Sequence, residues 1–222
     1  MRLVKREFFY WGRMTLVMTA IGLAVSAGVT VLVFLRERES WGRPEAILSW
    51  FGIYSLVIIL LMLAAMAVSW FDTYLVIQLS FGCTRREAFA GFQGMKLAGA
   101  VLAGLFGSAL LWAAKVGHGF LALWPVVFAL ALAVISLGEI CGALRSWYPK
   151  LGTALVAVCG VFAGIVGGFM GTIEMGDYTG QLGYLGQLFS VLRFWLPFAA
   201  AALFLIGAIL DRLVVRGVPV KL

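Results

Sequence analysis

The sequence predicts an all-α integral membrane protein: six transmembrane helices, both termini cytoplasmic, and an N-terminal interfacial helix, folded as one transmembrane domain over 1–222. Three observations predict it. Of 222 residues 63% are hydrophobic and only 12% charged, whereas about a quarter of a soluble domain is charged. Apolar runs recur at a length near the ~20 residues that a helix needs to cross a bilayer core. Lys and Arg then fall unevenly between the runs. Twelve lie on one side and five on the other when the chain is threaded through six spans, and the richer side is cytoplasmic. A multi-pass protein of the cell membrane is the expectation.

The elements follow in order. In Met1–Arg13, Arg2, Lys5, Arg6 and Arg13 share one side of a helical wheel and Leu3, Val4, Phe8, Tyr10 and Trp11 the other. That pattern suits a helix lying on the inner leaflet, and equally a basic flank that orients the first span. Span one is Met14–Leu35, too long for the apolar core of a secretory signal, and so read as retained. An outer loop, Arg36–Glu45, holds three Arg and three Glu. Span two is Ala46–Trp70. Phe71–Lys96 is mixed in polarity and cytoplasmic, with Arg85, Arg86 and Lys96 as its anchors. Span three is Leu97–Ala114, turned outside by 115–119, and span four is Phe120–Leu144. Arg145–Lys150 makes an inner turn, span five is Leu151–Thr172, and Ile173–Gln187 lies outside. Span six is Phe189–Leu210, followed by a basic inner tail from Asp211 to Leu222.

The organising stretch is Phe71–Lys96, because a partly helical, polar segment between two spans can dock a soluble protein. It contains Ser80-Phe81-Gly82-Cys83-Thr84-Arg85-Arg86-Glu87-Ala88-Phe89. A Gly-x-Thr-Arg-Arg string followed by aromatics, between the second and third of six spans, resembles the permease subunits of ABC-2-type exporters. The resemblance implies a membrane subunit that works in pairs, as two copies or with a sister permease. It implies a separate cytoplasmic ATPase that carries the ATP and Mg, and coupling residues at Leu79, Phe81, Gly82, Thr84, Arg85 and Arg86. The chain itself has no GxxxxGK[ST] phosphate loop; Gly91–Lys96 lacks the spacing. It is therefore not expected to be an enzyme or to hold a cofactor.

Other candidates are weaker. Gly160, Gly164 and Gly168 share one face of span five, and Ala20, Ala24 and Gly28 one face of span one. Missing side chains at four-residue spacing let another backbone approach, either inside one bundle or at a dimer interface. Glu139 is the carboxylate set deep in an apolar run, yet it stands six residues before Arg145 and is read as reaching toward the inner surface or pairing with a basic residue. Lys96 is read as snorkelling out from the inner end of span three. His118 is a loop residue with no partners for a metal site, and no metal is expected. Cys83, Cys141 and Cys159 form no CxxC pair. The +7 net charge is scattered between apolar runs rather than gathered in a stripe, which argues against nucleic acid and for lipid headgroups. Two alternatives to an exporter subunit stand: a secondary transporter, which should show coupled charges near the midplane, and a non-transporting membrane anchor or regulator.

Overall fold

Long apolar stretches with few helix breakers dictate the elements. A computed structural model of the chain describes residues 2–36, 44–80, 82–113, 120–158, 160 and 181–217. Helix α1 runs Arg2–Arg36 and α2 Pro44–Ser69; a π-helical turn, Trp70–Tyr74, passes directly into α3, Leu75–Ser80. Helices α4 (Arg85–Ala113) and α5 (Phe120–Trp147) follow. A short α6, Pro149–Val158, precedes the long α7, Gln181–Gly217.

Among the described residues four stretches are long and apolar enough to cross a membrane: Tyr54–Ser80, Arg85–Ala113, Phe120–Trp147 and Phe194–Arg216. The shortest has 23 residues, about 35 Å of helix at 1.5 Å per residue, against a hydrocarbon core of ~30 Å. Of the two remaining expected spans, the first lies on α1, and most of the fifth lies outside the described residues.

Four boundaries differ from expectation; one is α7, which runs Gln181–Gly217 where Phe189–Leu210 was expected, with 181–187 in an outer stretch and 211–217 in a tail. No break separates 2–13 from span one, because α1 is continuous through Arg13 and contains no proline to interrupt it. Span two does not stop at Trp70. The π turn carries the helix on to Ser80, supported by Leu75, which is fully buried. Helix α4 begins at Arg85 rather than Leu97, so the second half of the expected cytoplasmic segment is the first three turns of a long helix.

Helix α5 is the centre of the bundle and packs against α2, α4, α7 and the π turn. Its sequence explains how. A Cβ at Gly138 would lie 2.6 Å from the Ala64 carbonyl oxygen, and one at Gly142 2.8 Å from that of Val68. The absence of side chains at this pair, four residues apart, lets the α2 and α5 backbones touch, and dispersion is then gained along the whole crossing. Helix α1 meets α2 through Gly22, Ser26 and Thr30, which are buried. The Ser26 and Thr30 hydroxyls donate to the carbonyls of Gly22 and Ser26, at 2.7 and 2.8 Å, so no polar hydrogen is wasted in an apolar contact. Outward from the bundle α7 turns Phe194, Trp195, Phe198, Leu205 and Ile209, all more than 59% exposed, a surface that lipid suits better than water.

Candidate functional site

Charge is scarce inside this bundle, and where it occurs it is gathered. Lys96 on α4, Glu139 on α5 and Asp211 on α7 have no exposed surface, and they are the buried charged residues among those described. The Lys96 ammonium pairs with Glu139 Oε2. Gln93 stands one turn before Lys96 on the same face of α4. Its Nε2 donates to Glu139 Oε1 at 2.8 Å and to Asp211 Oδ2 at 2.9 Å. One amide thus ties the two carboxylates together, and three helices with them.

Aromatic rings close the site. Lys96 Nζ lies 4.2 Å from the centroid of Phe204 on α7 and 6.0 Å from that of Phe92, distances at which the ring faces attract the cation. Phe92 stacks on Trp70 at 4.4 Å and meets Phe71 edge-on at 6.3 Å. On α7, Gly207 lies one turn before Asp211. A side chain there would occupy the place of the Glu139 carboxylate, so the glycine makes the pocket that the charge fills. Two acceptors remain buried with no hydrogen-bond partner, Gln93 Oε1 and Asp211 Oδ1.

Taking ions out of water costs several kcal/mol each, which pairing only partly returns, so a buried pair is poor evidence of selection for stability. Within membrane-spanning helices such groups mark functional positions. Lys96 is eleven residues beyond the start of α4 at Arg85, about 16 Å along the axis.

This site corrects the reading of Lys96 and selects between the two readings of Glu139. Lys96 does not snorkel, and Glu139 pairs with a basic residue rather than reaching for the surface; each has 0% exposure and they bind one another. Gln93 and Asp211 were missed. Asp211 looked like the first residue of a tail, but α7 continues to Gly217 and holds it inside. The available signal was local: Gln93 and Lys96 three apart on one face, and Gly207 and Asp211 four apart on another. Nothing in one sequence joins those faces across separations of 43 to 118 residues.

The second feature is the corner between α3 and α4, where the expected coupling residues lie. Gly82 has φ +81°, a left-handed conformation in which a side chain is strained. Its N–H donates to the Leu79 carbonyl and that of Cys83 to the Gln78 carbonyl, at 3.2 and 3.1 Å, closing α3 in a Schellman motif. Thr84 then caps α4. Its backbone N–H donates to Glu87 Oε2 at 3.0 Å while its hydroxyl oxygen accepts from the Glu87 N–H at 3.3 Å, a capping box. The Gly-x-Thr-Arg-Arg-Glu string is thus a helix stop followed at once by a helix start.

Gly82, Thr84 and Arg86 are exposed and Leu79 is half-buried, whereas Phe81 lies outside the described residues. Arg85 is half-buried, and its guanidinium donates to the Arg216 carbonyl at 2.8 Å, fastening the corner to the end of α7. Nearby, Asp72 of the π turn pairs with Arg145 of α5 at 3.2 Å.

The remaining candidates separate. Ala20, Ala24 and Gly28 are exposed, two residues and so about 200° round the helix from the packed Gly22–Ser26–Thr30 face. Gly160 is exposed, and a Cβ there would meet nothing within 4 Å. Gly164, Gly168 and His118 lie outside the described residues. Among the described residues no group of His, Cys, Asp or Glu is assembled to hold a metal ion.

No family model, curated protein or solved structure matches the chain. Fold and site therefore define its class on their own. It is an all-helical chain with four helices suited to crossing a membrane, compatible with a multi-pass membrane protein, and it carries a buried Lys–Glu–Gln–Asp cluster where α4, α5 and α7 meet.

Proposed function

We propose that the chain is the permease subunit of an ATP-driven exporter in the cell membrane, with six spans and both termini cytoplasmic. A separate cytoplasmic ATPase docks on the α3–α4 corner and supplies ATP and Mg, and a second permease copy or a sister permease completes the path. The observation that carries this reading is the corner. It presents exposed Thr84 and Arg86 on a rigid Schellman–capping-box turn, and Arg85 ties that turn to Arg216 at the end of α7. A load applied to such a corner passes into α3, α4 and α7 together.

The test is recovery of an ATPase. The full chain, solubilised from its native membrane, is expected to bring down a protein with a phosphate loop, and to hydrolyse no ATP once stripped of it. Arg86→Lys keeps charge and orientation but loses the planar fork that binds carboxylates in pairs. It should weaken recovery about tenfold, the equivalent of ~1.4 kcal/mol. Wild-type recovery together with wild-type transport overturns the docking role. A second reading, a secondary transporter driven by an ion gradient, is favoured by the buried Lys96–Glu139–Asp211 cluster. Transport by the isolated chain in vesicles, with a proton gradient and no ATP, decides for it.

A further inference from the structure

We propose that Gln93, Lys96, Glu139 and Asp211 form a binding site for a single proton, held at neutral pH on Asp211. The inference goes beyond either transport reading, and its test uses the isolated chain, so it stands or falls separately from them.

The argument begins with charge. Two carboxylates and one ammonium share a site with no exposed surface. With all three ionised the site carries a net charge of −1 in a medium where an uncompensated ion is very costly. Among the described residues no other buried charge is present to cancel it. Between Glu45 and Asp72, α2 and the start of the π turn carry none; α4 from 88 to 113 offers only Lys96 and α5 from 120 to 144 only Glu139; on α7, 194 to 210 carries none, and Arg212 and Arg216 beyond Asp211 are exposed. The neighbours that face the cluster are Phe92, Phe204 and Gly207.

Hydrogen bonding gives the same answer. Both Glu139 oxygens are occupied, one by Lys96 and one by Gln93, whereas Asp211 receives a donor at Oδ2 alone. Asp211 Oδ1 and Gln93 Oε1 are acceptors with no donor between them. One added proton bonds to Oδ1, converts the carboxylate to a carboxylic acid and cancels the surplus charge. It also gives the site the O–H donor that it lacks. A metal cation fits less well, since it requires several oxygens and would lie beside the Lys96 ammonium. The proton comes from water at the near end of α7, six residues beyond Asp211. When it leaves, the surplus charge falls on the α7 side of the cluster, so proton occupancy sets how tightly α7 docks on α4 and α5.

Infrared spectroscopy of the full chain in proteoliposomes at neutral pH tests this directly, because a carboxylic acid C=O stretch is distinct from the carboxylate bands and shifts in deuterated water. The proposal predicts one protonated carboxyl in the wild type and none in Asp211→Asn, whose amide mimics the loaded site. Lys96→Met removes the cation, so it should hold two protons, and Lys96→Met with Asp211→Asn should hold one. A wild-type spectrum without the acid band overturns the proposal, as does a band that survives Asp211→Asn. Should Asp211→Asn fail to fold, Lys96→Met still decides: an unchanged count of one refutes the charge argument.

Discussion

At Gly207 the smallest possible addition, one methyl group, meets the Glu139 carboxylate, and that carboxylate is held by both Lys96 and Gln93. Gly207→Ala should therefore destabilise the bundle by about 1–3 kcal/mol, the usual cost of overpacking. Ala201→Val, at an exposed position of the same helix, should stay within ~0.5 kcal/mol. Thermal unfolding in detergent compares the two. The ion pair makes a complementary prediction. Lys96→Met alone strips Glu139 of its cation, so that the carboxyl must take up a proton and lose its charge-assisted bond, and should cost roughly 3–5 kcal/mol, while Lys96→Met with Glu139→Gln should recover most of the loss. Equal losses in the single and double variants would mean that the two residues do not act as a pair.

Between elements, α5 approaches α2 closely enough that the backbones touch, and that contact rests on Gly138 and Gly142. Gly142→Val would drive a branched side chain into the Val68 carbonyl and the Phe71 ring, so folded yield by size exclusion should fall sharply. Gly160→Val, where a Cβ would meet nothing, should leave it unchanged. The four helices of membrane-spanning length were legible in the sequence, because unbroken apolar length is a one-dimensional property. Their ends were not. Mixed polarity over 71–96 read as a break, whereas its apolar residues keep a helical phase and the only reversal is at Gly82. The Thr84–Glu87 capping box was present in the string and was passed over for the arginines beside it. Within the single chain α1 packs through Gly22, Ser26 and Thr30 rather than Ala20, Ala24 and Gly28, since several small residues on one helix fit two faces and only the partner's shape selects one. The charged cluster was illegible for a different reason: its members are local pairs on three helices, and sequence spacing carries no sign of which helices adjoin.

For the whole molecule, orientation is the first quantity to establish. Cys83 is buried, so native thiol chemistry is a poor reporter of the corner, while Ser80 is exposed beside it. In a Cys159→Ser background, Ser80→Cys should react with an impermeant maleimide in inside-out vesicles and not in intact cells. The reverse pattern would place the corner outside and remove its ATPase role. The order of synthesis adds a constraint of another kind. Lys96 leaves the ribosome 43 residues ahead of Glu139. A lone ammonium within a helix entering the bilayer costs up to ~3 kcal/mol on the insertion scale. The translocation machinery must then either hold α4 at its threshold until α5 emerges or release the two as a hairpin whose charges are already matched. Biogenesis is therefore expected to proceed in pairs of helices rather than singly, and a nascent chain arrested soon after Ala113 should be found still engaged with the insertase.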